Sequence, residues 1–533
     1  MIREEIKKLI QKAIQKARQE KKLAEFKIPE ILIEHPEEKI YGDYATNITM
    51  QITKAAKKNP VEIADILASG LQVLGSKIFE KIEVVKPGFI NFFISKDYLQ
   101  KQIEEIIKKG DRFGQLNIGK NKKIQVEFIS ANPTGPLHVG NGRGAFFGDC
   151  LANVLEKAGY KVMREYYIND AEASRQVMSI RDTTSTVVNQ DLLRDFPGGL
   201  PYDSEYLREK ISTLKSTDNI IFAIQKDNRD FIENKLRIKF DNWISEEKDL
   251  YKKGKIDEIK KLFKKKNLIY EKDGAEWLKT SECGDMKDWV VVRKTGEPTY
   301  LLSDAAYHKN KFERGFEKII NIWGADHQGH IAKIKAVARM LEFKGDLEVL
   351  ISQMVRLKRG KLSKRKGEII TLESLIDEVG LDAARFFYLM KSLDTQMEFD
   401  IELAKERSAK SPVYYVQYAH ARIFSILKNV PDFRLRIRGG DYELLDHQSE
   451  LNLIKQLIRF PEIIEDTARD YQVQRIPKYA IDLAATFHQF YRDCKVLAEK
   501  ENLREARLIL TLATKQVLKN TLDLMGISAP EKM

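Results

Sequence analysis

Cysteine is scarce in this chain of 533 residues, which contains only Cys150, Cys283 and Cys494. The three lie far apart and match neither the spacing of a zinc site nor a disulfide framework. No stretch reaches ~18 apolar residues, and the first residues alternate charged and apolar positions instead of forming the apolar core of a signal peptide. We therefore expect a cytoplasmic protein that has no membrane span and no protein-bound structural metal.

The charge balance of the chain is positive. Lys plus Arg total 91 and Asp plus Glu total 79, a net charge of +12, and such a balance favours a polyanionic partner such as RNA. Lysines on ordinary solvated helix faces would give much of the same excess, so charge alone leaves both interpretations open. With 43% hydrophobic residues, the chain is long enough to bury a large core and to form about three domains.

Hydrophobic periodicity indicates where these domains lie. The first part predicts an amphipathic helix over residues 2–24 and two short strands over 82–85 and 89–94, which together make a small α/β module. The last part is helical to its end, which predicts a bundle. We place the three domains as follows: an N-terminal module over 1–115, a central α/β domain over 116–400 and a helical domain over 401–533.

The middle part alternates strands with helices, the pattern of a Rossmann-like fold. Between about 181 and 290 the sequence becomes polar, so we expect an insertion there, with a lysine-rich helix over 257–266. The core elements predicted around it are a strand over 124–129, a helix over about 144–157, and strands over 161–168, 289–293, 319–323 and 349–355.

A glycine-containing turn follows the predicted strand 124–129 and ends in the sequence His138-Val-Gly140-Asn141. A strand that leads through such a turn into a helix lets a phosphate lie against the backbone, because glycine has no Cβ and the first N–H groups of a helix attract anions. His138 and Asn141 can donate hydrogen bonds to phosphate oxygens. An isolated histidine at this place would more often cap the helix, so the turn needs support from elsewhere in the chain.

That support is a compact basic turn after the predicted strand 349–355, with the sequence Lys361-Leu-Ser363-Lys364-Arg365. A solvated loop or a contact to an RNA backbone would explain four such residues on their own. Their position after a core strand favours a turn that closes over a departing pyrophosphate.

Together the two motifs resemble the paired signatures of class I aminoacyl-tRNA synthetases. Asn141 stands where the second histidine of the first signature usually is, and Leu362 replaces the methionine of the second. Asparagine keeps a donor, and leucine can pack as methionine does. Further segments resemble arginyl-tRNA synthetases of bacterial type, and they cover nearly the whole chain: 42–47, 87–93, 126–133, 165–170, 240–246, 300–304, 323–330 and 412–422.

The resemblance implies a Rossmann-like class I catalytic core with an inserted domain, an N-terminal module that contacts tRNA, and a helical domain that binds the anticodon. Its implied catalytic residues are His138, Asn141, Lys361, Ser363 and Lys364. Its implied ATP-binding residues are Thr134, Pro136, Gly140, Asp326, His330 and Val355. Its implied tRNA-binding residues are Tyr415, Gln417, Tyr418, His420 and Arg422, although their spacing is equally typical of a bundle core.

A guanidinium pocket requires carboxylates and a hydroxyl or aromatic face. Tyr300 and Asp304 are four residues apart, so they share a face if the segment is helical. Each acid could instead be a surface or capping residue. By the resemblance, the pocket residues are Glu127, Ser130, Asn132, Glu246, Tyr300, Asp304 and His327. A metal site at His327 and His330 is a weaker hypothesis, because no third ligand is evident.

We therefore expect a monomeric enzyme that joins arginine to tRNA-Arg through arginyl-adenylate, with ATP as co-substrate and Mg²⁺ carried by ATP. An acidic pocket disfavours a class I synthetase for another amino acid. An RNA-binding paralogue without activation would not need the full set of pocket residues. A small-molecule nucleotidyltransferase would leave the two end domains unexplained.

Overall fold

The computed structural model describes residues 1–172, 174–188, 205–214, 216–358, 370–430, 441–497 and 500–533. The predicted catalytic residues Lys361, Ser363 and Lys364 lie outside the described residues. Within the described ranges, no helix combines the length and the apolar character needed to cross a membrane.

The N-terminal module consists of helices packed on a small antiparallel sheet. Its elements are α1 (Ile2–Gln19), β1 (Tyr44–Thr46), α2 (Ile48–Ala56), α3 (Pro60–Leu74), β2 (Phe79–Val85), β3 (Phe89–Ile94) and α4 (Lys96–Lys109). The strand order is β1-β3-β2. Both predicted strands are confirmed. The predicted first helix stops earlier, at Gln19, because the chain turns at Lys21 with φ +56°.

The middle of the chain alternates strands with helices. Its elements are β4 (Lys123–Glu127), α5 (Val139–Lys157), β5 (Lys161–Ile168), α6 (Arg175–Val188), α7 (Glu205–Leu214), α8 (Thr217–Asp230), β6 (Asn242–Ser245), α9 (Lys255–Lys265), β7 (Ile269–Lys272), β8 (Ala275–Leu278), β9 (Trp289–Val292), α10 (Tyr300–Glu313), β10 (Lys318–Gly324), α11 (Ile331–Met340), β11 (Asp346–Ser352), β12 (Val355–Leu357), α12 (Leu372–Val379), α13 (Leu381–Leu389) and β13 (Met397–Phe399).

Five of these strands make a parallel sheet in the order β11-β10-β4-β5-β6. The chain adds β5 and β6 on one side of β4, and then adds β10 and β11 on the other side. This reversal creates a crevice at the carboxyl ends of β4 and β10, the place where open parallel sheets bind ligands. The Rossmann-like fold class predicted from the sequence is confirmed.

The interval predicted as an insertion, 181–290, is not wholly separate from this sheet, because it supplies the edge strand β6. Helices α6, α7 and α8 have a small core of their own. The strand predicted at 289–293 is β9, which belongs to a separate antiparallel sheet with order β7-β8-β9. Both differences have the same cause: short strands of four residues carry no period that reveals the sheet to which they belong.

The C-terminal part is the predicted helical bundle. Its elements are α14 (Ile401–Lys405), α15 (Pro412–Lys428), α16 (Gln448–Ile458), α17 (Phe460–Asp470), α18 (Arg475–Asp493) and α19 (Glu501–Met525). One hydrophobic core runs from α1 through α5 to α19, and a second core lies between α10, α11 and the far face of the sheet. The bundle therefore packs on α5 through α17 and α19, and the N-terminal module packs on the bundle, where α4 contacts α16 and α19.

Candidate active site

The turn between β4 and α5 is shaped by two residues with left-handed backbone. Ile129 has φ +68° and Ser130 has φ +41°, so the strand predicted to run to Ile129 ends at Glu127. The hydroxyl of Ser130 donates to Oε1 of Glu127 at 3.0 Å and accepts from the N–H of Tyr167 at 3.1 Å. Non-glycine residues hold this conformation only where their surroundings fix it, and such places are often functional.

His138 and Asn141 together cap helix α5. Nδ1 of His138 accepts from the N–H of Gly140 at 3.0 Å, and Oδ1 of Asn141 accepts from the N–H of His138 at 2.9 Å. A Cβ at Gly140 would lie 2.8 Å from Cε1 of His138, so the ring can fold back only over glycine. The helix therefore begins at Val139, five residues before the predicted start.

This cap leaves donors that face outward from the helix terminus. Since Nδ1 of His138 is an acceptor, the proton of the neutral ring is on Nε2. Partial burial lowers the pKa of His138, and the nearby carboxylate of Asp326 offsets part of that effect. The Nδ2 group of Asn141 is likewise not used by the cap. Both side chains can cap the helix and also donate to a phosphate.

The predicted pocket acids meet beneath this turn. Glu127 ends β4, Glu246 follows β6, and Asp304 lies in the first turns of α10. Glu127 and Glu246 are buried and Asp304 is half-buried. Burial raises the pKa of Asp304 to about 7, and the negative charges of Glu246 and Glu127 add to this rise. The three carboxyl groups therefore share one electrostatic environment.

Burial also raises the pKa of Glu246 to about 7, with Asp170 as a nearby like charge. Asp170 accepts from the hydroxyl of Ser245 at 2.7 Å and from the N–H of Glu247 at 3.0 Å. These bonds fix the chain on both sides of Glu246. Acids whose pKa values rise toward neutrality in a crevice of the sheet mark a candidate binding site, and their ionised forms could accept hydrogen bonds from a cation.

Tyr300 lies at the mouth of the pocket. Its ring stacks on His330 with centroids 4.8 Å apart, and its hydroxyl accepts from Nζ of Lys333 at 3.2 Å. Helix α10 confirms that Tyr300 and Asp304 are one helical turn apart, and Lys333 acts on both. His327 lies 5.6 Å from His330 between ring centroids and 3.4 Å from Asp326. A continuous line of contacts thus joins the pocket to the residues near His138.

The remaining predicted site residues surround this centre. Thr134 and Pro136 lie in the turn before α5, and Asn228 of the insertion donates to the carbonyl of Gly135 at 3.0 Å. Asn132 is exposed, as is Asp326. Val355 begins β12, which pairs with β13 and not with the main sheet. Pro136 lines a separate cleft of about 410 Å³, together with residues of α8 and α12.

The five predicted tRNA-binding residues lie on α15 but have different surroundings. Gln417 and His420 are buried. Gln417 donates to Asp382 at 2.8 Å, and His420 is bonded to the carbonyl of Pro530 at 2.8 Å. They therefore hold the C-terminal segment against the bundle. Arg422 lies 4.6 Å from the ring centroid of Tyr418, which is exposed, so these two face outward. Tyr415 is half-buried against His488.

The sequence interpretation missed a set of buried polar residues behind the pocket. Lys311, His308 and Asn321 are fully enclosed and bonded to one another or to the pocket acids. His308 and Lys311 follow Asp304 by four and seven residues, so helical spacing places them on its face. That spacing was the available signal. Elsewhere in the described part of the chain, no group of three or more His, Cys, Asp or Glu residues could hold a metal ion.

Three family models match the chain. The arginyl tRNA synthetase N-terminal domain matches residues 4–94, and the DALR anticodon binding domain matches residues 416–533. The catalytic domain of class I (R) tRNA synthetases matches residues 102–178 and 203–424. Together these models extend over nearly all of the sequence.

Individual proteins agree with the family models. An arginine–tRNA ligase of Carboxydothermus hydrogenoformans is 42% identical over 529 residues, which are 94% of each chain. A structure titled as a putative arginyl-tRNA synthetase from Campylobacter jejuni is 32% identical, covers 83% of this chain and 100% of its own, and has a TM-score of 0.74. The arginyl-tRNA synthetase of Thermus thermophilus is 20% identical, covers 100% of both chains with a TM-score of 0.78, and shows the fold alone.

Proposed function

Because this chain belongs to the arginyl-tRNA synthetase family, we propose that it attaches L-arginine to tRNA-Arg in two steps at the carboxyl edge of its parallel sheet. In the first step the arginine carboxylate attacks the α-phosphorus of ATP, which forms arginyl-adenylate and releases pyrophosphate. In the second step a hydroxyl of the terminal tRNA ribose attacks the arginyl carbonyl and releases AMP. Neither step needs a covalent protein nucleophile, so the protein contributes position and charge.

We propose that the turn before α5 binds the phosphates of ATP. Nε2 of His138 and Nδ2 of Asn141 are the donors that the helix cap leaves available. Gly140 allows close approach of the phosphates, and the helix N-terminus adds a favourable dipole. Thr134, Pro136, Asp326, His330 and Val355 would complete the ATP site. Mg²⁺ would arrive on the ATP phosphates, and Lys361, Ser363 and Lys364 would stabilise the departing pyrophosphate.

The acidic pocket selects arginine in this proposal. Glu246 and Asp304 would receive the guanidinium group as a planar, charge-assisted pair of acceptors, with Tyr300 against it at the mouth. Ser130, Asn132 and His327 would hold the α-amino and carboxylate ends. Both carboxylate oxygens of Glu127 are already engaged, by Ser130 and Lys311, so Glu127 would support the pocket from behind.

For the second substrate, we propose that tRNA contacts the outward residues of α15. Tyr418 can stack on an unpaired base, and Arg422 can contact phosphate or a base edge. Gln417 and His420 would contribute by fixing the helix, and Tyr415 by supporting Tyr418. The N-terminal module would contact tRNA at a second place. We propose that the enzyme acts as a monomer in the cytoplasm.

One observation carries the choice of amino acid: two buried carboxyl groups, of Glu127 and Glu246, and the half-buried carboxyl group of Asp304 converge next to the turn before α5. Desolvation raises the pKa of Glu246 and of Asp304 to about 7. An apolar or neutral substrate would leave these acids without a partner. The cost of an unpaired buried charge is large, so the pocket rejects such substrates and favours a cation.

The test is exchange of pyrophosphate into ATP across the twenty amino acids, with and without total tRNA. We expect exchange with arginine alone, and we expect it to require tRNA. Exchange with another amino acid would overturn the pocket assignment. A protein that binds tRNA but shows no exchange under either condition would instead be an RNA-binding paralogue that does not activate amino acids.

A further inference from the structure

Lys311 is a lysine with no exposed side-chain surface, in the last turn of α10 behind the acidic pocket. Its ammonium donates to Oε2 of Glu127 and, at 2.8 Å, to Oδ1 of Asn321. It also lies 4.3 Å from the ring centroid of Tyr307. Burying an ammonium group costs free energy unless hydrogen bonds and opposite charges compensate for its lost hydration. The position of these partners therefore indicates which parts of the structure Lys311 holds together.

From Lys311, hydrogen bonds extend in two directions. Through Glu127 they reach the hydroxyl of Ser130 at 3.0 Å, which is the residue with left-handed backbone in the turn above the pocket. Through Asn321 they reach Nε2 of His308 at 3.0 Å, and Nδ1 of His308 is bonded to the carbonyl of Asp304 at 2.8 Å. One buried side chain therefore connects the two walls of the pocket.

The charges around the pocket also indicate that Lys311 has a structural role there. Glu127, Glu246 and Asp304 would repel one another in a closed site, and Lys311 and Lys333 are the cations that act on Asp304. Lys333 lies at the mouth, beside Tyr300. Lys311 lies behind, where a substrate cannot reach it. It can neutralise Glu127 permanently, which leaves Glu246 and Asp304 for the incoming guanidinium.

We propose that Lys311 is a positioning residue for arginine: it fixes the Ser130 turn and the Asp304 end of α10 in register, and it offsets the charge of Glu127. This inference rests on the arginine pocket proposed above. It predicts that a variant of Lys311 loses affinity for arginine but not for ATP, because the His138 and Asn141 cap stabilises the ATP-binding turn independently.

The experiment compares Lys311→Met and Lys311→Arg by arginine-dependent pyrophosphate exchange with saturating tRNA, and thermal unfolding is recorded for each variant. For Lys311→Met we expect the arginine KM to rise about tenfold or more, since a buried carboxylate loses its partner, while the ATP KM stays within about twofold. Lys311→Arg keeps the charge and should recover part of the arginine KM.

The matched control is Arg385→Met, which removes another fully buried cation, paired with Asp149 at 2.7 Å outside the pocket. It should lower thermal stability and leave the arginine KM unchanged. If Lys311→Met changes both KM values equally, or changes stability alone as Arg385→Met does, the positioning role is overturned.

Two further variants keep the test decisive. If Lys311→Met does not accumulate as folded protein, Asn321→Val interrupts the same connection without stranding a charge, and it should raise the arginine KM a few-fold; an unchanged arginine KM would overturn the proposal. Asp304→Asn tests the pocket itself. If it leaves the arginine KM unchanged, the pocket assignment fails; if it raises that KM while the Lys311 variants do not, the inference about Lys311 alone fails.

Discussion

Glu246 is buried and Asp304 is half-buried in the pocket, and loss of hydration is the largest influence on the pKa of each carboxyl group. Burial favours their neutral forms, which is why both pKa values rise to about 7. A bound guanidinium would reverse that preference, because an opposite charge at contact favours the ionised carboxylate. Arginine binding and proton release are therefore coupled.

The coupling predicts how arginine affinity depends on pH. Below pH 7 the free pocket is protonated, so binding must release protons and the affinity falls as the pH falls. Above about pH 7 the acids are already ionised and the affinity levels off. We expect arginine binding to release about one proton from the coupled pair, so the affinity should weaken by about tenfold between pH 8 and pH 6. Calorimetry in buffers of different ionisation enthalpy measures the protons released; an affinity that is constant over this range would contradict the coupling.

Glu246 also predicts a cost in stability. Its pKa is raised from 4.5 to about 7, so its favourable contribution is complete below pH 4.5 and is lost as the pH rises through 7. At pH 8 the ionised form costs on the order of 3 kcal/mol. Glu246→Gln should therefore be more stable than the parent at pH 8, and this advantage should shrink toward pH 5. Denaturant unfolding without arginine measures it, with the exposed Glu37→Gln as control; no gain at pH 8 would refute it.

At the scale of one element, the start of α5 shows two roles in one residue. Oδ1 of Asn141 caps the helix, and Nδ2 remains for a ligand. Asn141→Asp separates these roles, because it keeps the accepting oxygen and adds a charge that the helix N-terminus favours, but it loses the donor and repels phosphate.

We expect Asn141→Asp to leave the melting temperature unchanged or higher and to lower pyrophosphate exchange by about 10²-fold, the usual loss for one donor to a developing charge. Asn141→Ala, which loses both roles, should also destabilise the protein by about 1 kcal/mol. Full exchange activity in Asn141→Asp would mean that the residue is a helix cap and nothing more.

The same helix shows what sequence patterns could and could not predict. Gly159 indicated the end at Lys157, which the structure confirms, but three glycines near the beginning hid the first turn, which the His138 cap stabilises. Strand β5 was predicted with its observed bounds because it is long and strongly patterned. Strand β6 was missed because four residues at a sheet edge have no distinctive period.

Some residues of the pocket could be predicted from the sequence and others could not. Glu127, Glu246, Tyr300 and Asp304 were predicted from segments that resemble a known family, and the fold brings them together. Lys311, His308 and Asn321 behind the pocket were not predicted. In a sequence, a buried lysine cannot be distinguished from a solvated one until the burial of its helix face is known. Whether Gln417 and His420 face inward or outward could not be decided either, since the same spacing suits a bundle core and an RNA-binding face.

At the scale of the whole molecule, the N-terminal module is fastened to the bundle through Glu462 of α17. This buried carboxylate accepts from the hydroxyl of Tyr44 at 3.0 Å, is bonded to Nε2 of His35 at 2.7 Å, and lies 3.5 Å from the guanidinium of Arg3. Although burial opposes the charge, the bonds from His35 and the charge of Arg3 leave the pKa of Glu462 below its ordinary value. The buried contacts of Glu462 thus connect the two proposed tRNA-binding regions, the N-terminal module and the helical bundle.

Removing this carboxylate should therefore weaken the contact between the N-terminal module and the bundle without disturbing the acidic pocket. Glu462→Ala leaves the buried hydroxyl of Tyr44 and Nε2 of His35 without their acceptor, whereas Arg3 keeps its pair with Asp466. We therefore expect a loss of about 1–3 kcal/mol at pH 7. Because the pKa of Glu462 is lowered on folding, its contribution is present above pH 4.5 and fades as the pH falls below that value, so the two proteins should converge in acid. Thermal unfolding over about pH 2.5–7, a range that extends well below the ordinary pKa of a carboxyl group, follows this directly.

The effect of Glu462→Ala on function should distinguish tRNA binding from arginine binding. We expect Glu462→Ala to raise the KM for tRNA while the KM for arginine stays near that of the parent, and to expose the connection near residues 110–122 to limited proteolysis. Asp446→Ala is the matched control, since it removes an exposed pair with Lys96 across the same interface, and such pairs contribute about 0–1 kcal/mol. Equal effects from both variants would show that the interface works by its apolar contacts and not through the buried charge.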